Sequence, residues 1–227
     1  MNMKIICIGA HPDDVELAMG GTVLKLVDSG HEILLLDITN GEPTPFGSEE
    51  IRNIESKKAS KLLGVERITL NLPNRYLMDT IEARKEIAGV LREFRPEIIF
   101  THFDYDAHPD HISASSLTVA SRFYSKLTKS DIKGEPFFPK KIIYYFPNHI
   151  HLNLLPSFCV DISAYIEKKE EVLKTYESQF LKPGKVQFLE ENFEINRYYG
   201  IRIGKLFAEP FYLKETLDAD LLISLFK

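Results

Sequence analysis

The sequence predicts an α/β fold: a Rossmann-like doubly wound sheet, mainly parallel, with helices on both faces. Three observations carry that prediction. Short apolar runs recur (KIICIGA at 4–10, HEILLLDI at 31–38, EIIFTH at 97–102), nearly continuous rather than alternating, as strands buried on both faces require. Stretches with helical spacing of apolar residues separate them, each closed by Gly or Pro. The resulting βαβαβαβ order calls for parallel strands joined by right-handed crossovers.

Lys4 to Ala10 is the first strand. Leu17, Val23, Leu24 and Val27 set a helix over 17–29, with Gly30 as its stop. His31 to Ile38 is the second strand, and the Gly- and Pro-rich stretch 39–48 is a loop, because helical periodicity resumes at once. Ser48-Glu49-Glu50-Ile51 reads as a capped helix start, and that helix runs through Leu62-Leu63 to Gly64. Arg67 to Leu72 is a strand, Thr80 to Arg95 a helix closed by Pro96, and Glu97 to His102 the fourth strand. A further helix runs from about His111 to Lys126, followed by strands at 141–147 and 157–162. Ser163 to Phe180 reads as one long helix capped by Ser163, then come a helix over 193–206, an extended piece at 207–213 and a weak terminal turn of helix. Thr128 to Lys140 resembles a linker but is too short to separate folding units, so residues 1–227 are expected to form one domain.

With 44% hydrophobic and 27% charged residues, the chain can bury a sizeable core. A net charge of -5 without a Lys/Arg-rich block argues against a nucleic-acid partner. Cys7 and Cys159 form neither a disulfide framework nor a C-x-x-C pair. The N-terminus enters a strand without an apolar signal region, and no stretch approaches the roughly 18 to 20 apolar residues that span a bilayer. These features predict a cytoplasmic protein with no membrane partner.

Two polar segments stand where strands hand over to helices: Gly9-Ala10-His11-Pro12-Asp13-Asp14-Val15-Glu16 and His108-Pro109-Asp110-His111. In a doubly wound sheet the first strand commonly lies between the second and the fourth, so both segments leave strand ends at the crevice where such folds bind ligands. A catalytic zinc takes about three imidazole or carboxylate ligands and keeps a position open. His11 and Asp14 can turn to one ion across Pro12, and His111 can add the third ligand, although His108 and His111 could exchange roles. Asp13 then lies beside the ion as a proton acceptor, and Asp110 can hold His108 protonated to steady a developing oxyanion. A His/His/Asp set accepts Fe2+, Co2+ or Mn2+ as well as Zn2+, with one ion expected per chain.

At these residues the chain resembles the LmbE-like, or PIG-L, family of zinc-dependent N-acetylglucosaminyl deacetylases, whose signature is an AHPDDE-type segment and a later H-P-D-H. The residue inserted before Glu16 resembles the branch that deacetylates the N-acetylglucosaminyl malate precursor in bacillithiol biosynthesis. The resemblance extends to Arg52, to Tyr176-Glu177-Ser178-Gln179-Phe180 and to Ala208-Glu209-Pro210-Phe211. It implies His11, Asp14 and His111 as zinc ligands, Asp13 as general base, His108 and Asp110 as a charge-stabilising dyad, and Arg52 as the residue meeting an acidic aglycone. It further implies an amino-sugar conjugate as substrate and a homo-oligomer, a trimer or hexamer. Two departures stand out. A tyrosine that some relatives supply after the Ser-Gln-Phe segment has no match, the nearby aromatics being Phe188 and Phe193, and Pro73-Asn74-Arg75 replaces the common Pro-Asp.

Other residues admit plainer readings. Arg52 could be a solvated helix residue paired with Glu49 or Glu55, and Glu16 a helix cap. His31 reads as surface at a strand edge, His102 as a buried hydrogen-bonded histidine, His149 and His151 as loop residues, Tyr144-Tyr145-Phe146 as core, and 168–171 as a wet helix face. Two alternative functions compete with deacetylation. A metallophosphoesterase would need a second ion, for which no ligands are evident, and a non-catalytic nucleotide or sugar module lacks its G-x-G-x-x-G.

Overall fold

The computed structural model describes residues 2–226. Among them, β1 (Lys4–Gly9), β2 (Glu32–Asp37), β3 (Glu66–Thr69), β4 (Ile98–His102), β5 (Lys141–Tyr145), β6 (Phe158–Asp161) and β7 (Ala208–Tyr212) form one seven-stranded sheet, in the order β3-β2-β1-β4-β5-β7-β6. Strands β1 to β5 run parallel, and β7 lies antiparallel to both β5 and β6. The expected central position of β1, between β2 and β4, is what the sheet shows.

The two-residue period of the strands divides the core. Ile5, Cys7, Ile33, Leu35, Phe100 and Tyr145 face one side, which α1 (Asp14–Asp28), α2 (Glu49–Leu63) and α5 (Ile166–Lys174) cover with Leu26, Leu63 and Leu173. Ile6, Ile8, Leu34, Leu36 and Ile99 face the other, beneath Ile87 and Leu91 of α3 (Ile81–Phe94) and Leu117 of α4 (Pro109–Ser125). Two apolar faces explain why these strands read as unbroken hydrophobic runs. Side-chain caps fix helix starts, among them α2, where Ser48 accepts from the Ile51 amide, and α3, where Thr80 accepts from the Ala83 amide.

Several boundaries differ from expectation. The helix predicted over 17–29 begins at Asp14, since His11 to Asp13 already make its entry turn. The predicted helix over 163–180 is broken into α5 and α6 (Glu177–Phe180), and Ser163 does not cap it: its hydroxyl binds Asp161 Oδ1 at 2.6 Å. The break lets Tyr176 and Ser178 turn inward to bind Glu16 and Glu55. Helix α7 (Val186–Arg202) starts seven residues earlier than the periodicity indicated, and α8 (Ala219–Leu225) closes the chain. His31 is buried, not at the surface, its Nδ1 accepting from the Met3 amide while Nε2 lies 3.0 Å from the Leu225 carbonyl. No helix among the described residues is long and apolar enough to cross a membrane.

One glycine sets the approach of α1 to β6. A Cβ at Gly21 would lie 2.8 Å from Ile162, so α1 reaches the end of β6 only without a side chain there.

Candidate active site

Strands β1 and β4 are hydrogen-bonded neighbours in register, Ile8 opposite Thr101, so the residues leaving both emerge at the same sheet edge. There His11, Asp14 and His111 present nitrogen and carboxylate oxygen atoms within 4.8 Å of one another, all buried. His11 Nδ1 is 3.3 Å from Asp14 Oδ2, and His111 Nε2 is 3.2 Å from Asp14 Oδ1. Two further groups overlap this one, His11/His108/Asp110 and His102/Asp106/His111.

The surroundings favour the first group as the cation site. Asp106 and Asp110 are already engaged: Asp106 Oδ2 lies 2.6 Å from His111 Nδ1, and Asp110 accepts from the Arg75 amide at 2.6 Å and the Leu77 amide at 3.3 Å while touching His11 Nε2 at 3.2 Å. His111 Nε2 is by contrast a buried nitrogen without a hydrogen-bond partner. Asp14 faces a third imidazole, His102 Nε2 at 3.1 Å, yet that nitrogen already accepts from the Ala10 amide at 3.0 Å. Acceptors gathered this closely around an orphaned imidazole nitrogen fit a cation. Despite burial, the imidazoles of His111, His11 and His102 hold Asp14 well below the usual carboxylate range. Burial opposes charge on His111 too, but Asp14 and the Asp106 hydrogen bond raise it to about 10.

Asp13 sits at the mouth of this cluster on strained backbone, φ 119°, a region most side chains avoid. Burial pushes its carboxyl up to about 6 against the pull of Arg52. Arg52 is only 4% exposed, which rules out the solvated reading: Nη1 donates to Asp13 Oδ2 at 2.8 Å, and Nε lies 3.5 Å from Glu42. Neither Glu49 nor Glu55 is its partner; Glu55 instead accepts from the Ser178 amide and hydroxyl, each at 2.7 Å. Gly41 makes room for the guanidinium, since a Cβ there would come within 3.1 Å of it.

His108 and Asp110 do not form the expected side-chain dyad. His108 caps α4, its Nδ1 accepting from the Asp110 amide at 3.2 Å, while the Asp110 carboxylate serves His11 and two backbone amides. Burial and the neighbouring His111 push His108 down to about 4, so its resting form is neutral with the hydrogen on Nε2. A cleft of about 500 Å³ lies over the whole group, with Asn74, Arg75, Thr44, Gln179, Phe180 and Phe188 in its walls.

These features carry the motif spacing that the family model of GlcNAc-PI de-N-acetylases, PIG-L, matches over residues 6–121. The chain belongs to the PIG-L family. It is 34% identical over 224 residues to the diacetylchitobiose deacetylase of Thermococcus kodakarensis, covering 91% of this chain and 81% of that one. To the probable N-acetyl-alpha-D-glucosaminyl L-malate deacetylase 2 of Bacillus anthracis it is 26% identical, over 84% of this chain and 86% of the relative. Among solved structures, a conserved protein of Thermus thermophilus superposes with a TM-score of 0.88 at 36% identity, covering 96% of this chain and 98% of that one.

The PIG-L frame also contains residues that sequence reasoning passed over or read differently. Asp106 orients His111, and its only signal was an acidic residue in the loop between β4 and α4. Behind Asp13, Glu16 is fully buried; it accepts from the Tyr176 hydroxyl at 2.6 Å and pairs with Arg67, which also meets Asp37 at 3.3 Å. Glu16 is thus neither a helix cap nor a cleft residue. Glu209 accepts from the Gly21 and Thr22 amides at 3.0 and 2.7 Å and pairs with the buried Lys169 at 2.7 Å. Lys169 therefore leaves the predicted wet face. Of the two aromatics after Phe180, Phe188 reaches the cleft, whereas Phe193 packs against the core.

Proposed function

We propose that this chain is a metal-dependent hydrolase that removes the N-acetyl group from an N-acetylglucosamine conjugate. The observation that carries the proposal is the cluster of His11, Asp14 and His111 with one further carboxylate, Asp13, held at its mouth by Arg52. PIG-L membership and the deacetylases among its relatives support the same reading.

His11, Asp14 and His111 would hold the ion, and zinc suits this set of two imidazoles and one carboxylate, with iron, cobalt and manganese as substitutes. A divalent cation bound there supplies Lewis acidity to water and to the amide carbonyl alike. Asp13, at about 6, is ionised at neutral pH and placed to take a proton from water in the cleft, while Arg52 fixes which oxygen faces inward. His108, anchored through Nδ1, offers its Nε2 hydrogen to the oxygen on which charge develops. Asp13 then returns the proton to the departing amine. Arg52 acts in this scheme chiefly through Asp13 rather than on an acidic aglycone.

N-acetylglucosaminyl malate remains the specific substrate proposed from motif resemblance, and the exposed Arg75 at the cleft wall supplies a cation for it. The test is metal analysis of the purified chain combined with amine release from free N-acetylglucosamine, its malate conjugate and N,N'-diacetylchitobiose. Release from at least one of them that disappears on chelation supports the reading. Metal-replete protein that hydrolyses none of the three ends it.

A further inference from the structure

The outer side of α7 divides its charges. Glu190, Glu191 and Glu194 stand in the N-terminal half, Arg197 and Arg202 in the C-terminal half, and Lys205 just beyond the end; all six are exposed. An apolar stripe runs between them. Ile195 is half-buried, Tyr198 exposed and Ile201 69% exposed, at the three-residue spacing that shares one helix face. Ile195 and Tyr198 also line a groove of about 740 Å³ between α7 and the loop after β5, and the loop's wall of that groove is mostly aliphatic: Ile150, Leu152, Leu154 and Leu155. Leu155 is 65% exposed, and Leu206, past the end of the helix, 71%. A contiguous apolar surface rimmed by charge marks a face that another molecule covers.

The charge order says which molecule. Glu191 meets Gln187 Nε2 at 2.8 Å, Arg202 donates to the Tyr198 hydroxyl at 3.2 Å, and Lys205 Nζ lies 3.4 Å from Asp161, so the glutamates and cations of this helix do not neutralise one another within the chain. An occupant must set cations against the glutamates, acids against the arginines and apolar residues between. A uniformly basic or uniformly acidic partner satisfies one half and is repelled by the other. Helix α7 reversed has the required order.

We infer that this face is a two-fold interface between copies of this chain, in which α7 packs antiparallel to α7 of a second copy with Tyr198 near the axis. Centred there, the pairing sets Ile195 against Ile201 of the second copy, Glu194 against its Arg202 and Glu191 against its Lys205, and symmetry repeats each contact. The aliphatic loop 147–155 closes over the second helix from the side. The same loop and helix carry His149 and Phe188, whose rings stack 5.5 Å apart at 19° in the cleft wall, so the interface also buttresses that wall.

The experiment measures subunit number by light scattering and dissociation by analytical ultracentrifugation, on the full chain, for wild type, Glu194→Arg, Arg202→Glu and the double variant. Positions 194 and 202 are eight residues apart, or about 12 Å along the helix, so any rescue between them acts across chains. Wild type should contain an even number of subunits. Each single reversal opposes like charges twice per interface and should weaken association about tenfold or more. The double variant should regain most of that loss. An equimolar mixture of the two single variants should regain it too, because every cross-axis pair in the mixed dimer is again of opposite sign, and this arm does not depend on the double variant folding. A monomeric wild type, or one with an odd number of subunits, overturns the inference. Single reversals without effect overturn it as well, by placing the contact on another face, and so does a mixture that fails to associate.

Discussion

Asp106→Ala removes the carboxylate that lies 2.6 Å from His111 Nδ1 in a buried setting. A buried hydrogen bond to a charged group contributes roughly 1.5 to 3 kcal/mol net. Losing an outer partner of a metal-ligating histidine costs about 10- to 100-fold in affinity, or about 1.4 to 2.7 kcal/mol, so the two routes to the magnitude agree. The substitution acts by releasing the ring: without Asp106, His111 can rotate and its Nε2 no longer aims at Asp14. The assay is competition for Zn2+ against a chromophoric chelator, with the metal-free melting curve as a check on folding. Asp106→Asn keeps an acceptor and should recover much of the loss, which a merely structural role would not require. An Asp106→Ala affinity within about twofold of wild type would refute the argument that this carboxylate positions the ligand.

Asp13→Asn should retain bound metal while kcat falls about 10²- to 10⁴-fold, the usual contribution of a positioned base, measured as amine release. Lys169→Met leaves Glu209 buried without its cation and should cost roughly 3 to 5 kcal/mol in urea unfolding, while the cleft residues are untouched. Tyr176→Phe strips the hydroxyl that joins Glu16 to Arg67 and should cost about 1 to 3 kcal/mol by the same measurement. Asp37 gives a pH signature. Burial raises its carboxyl to about 7 against the pull of Arg67, so between about pH 4 and 7 the folded chain binds the extra proton and stability from this group falls as pH rises. The stability of Asp37→Asn relative to wild type should therefore climb through that window and level off above about 7; a pH-independent difference would show that Asp37 titrates normally.

The sheet was legible because strands with two apolar faces leave continuous hydrophobic runs, and the site because two polar motifs interrupt such runs at neighbouring strand ends. What the sequence concealed were residues whose chemistry depends on a distant partner. Arg52, Lys169 and His31 occupy positions where a solvated side chain is the ordinary outcome, and each is buried because a carboxylate or carbonyl from another element meets it. The break between α5 and α6 was hidden for the same reason: helical periodicity continues through it, but Tyr176 and Ser178 satisfy Glu16 and Glu55 only by leaving the helix. The His108–Asp110 pairing failed on direction rather than proximity, the backbone amide taking the place assigned to the carboxylate.

Three ion-pair nodes hold α1 and its entry turn: Arg52 with Asp13, Arg67 with Glu16 and Asp37, and, further along the helix at Leu17, Gly21 and Thr22, Lys169 with Glu209. Buried pairs are poor sources of stability, because desolvation offsets much of their attraction. Their common feature here is that each ties α1 or its entry turn to an element far away in the chain, α2, β3 or the α5–β7 pair. That is the arrangement needed to keep Asp13 at φ 119°, a conformation costing on the order of 1 to 3 kcal/mol that persists only where the surroundings over-determine it. Relaxing the turn would carry Asp13 away from the mouth of the cluster and draw Asp14, its neighbour, off His111. The nodes are therefore best understood as holding two adjacent carboxylates to the different tasks proposed for them, Asp14 toward His111 and the proposed cation and Asp13 toward the cleft.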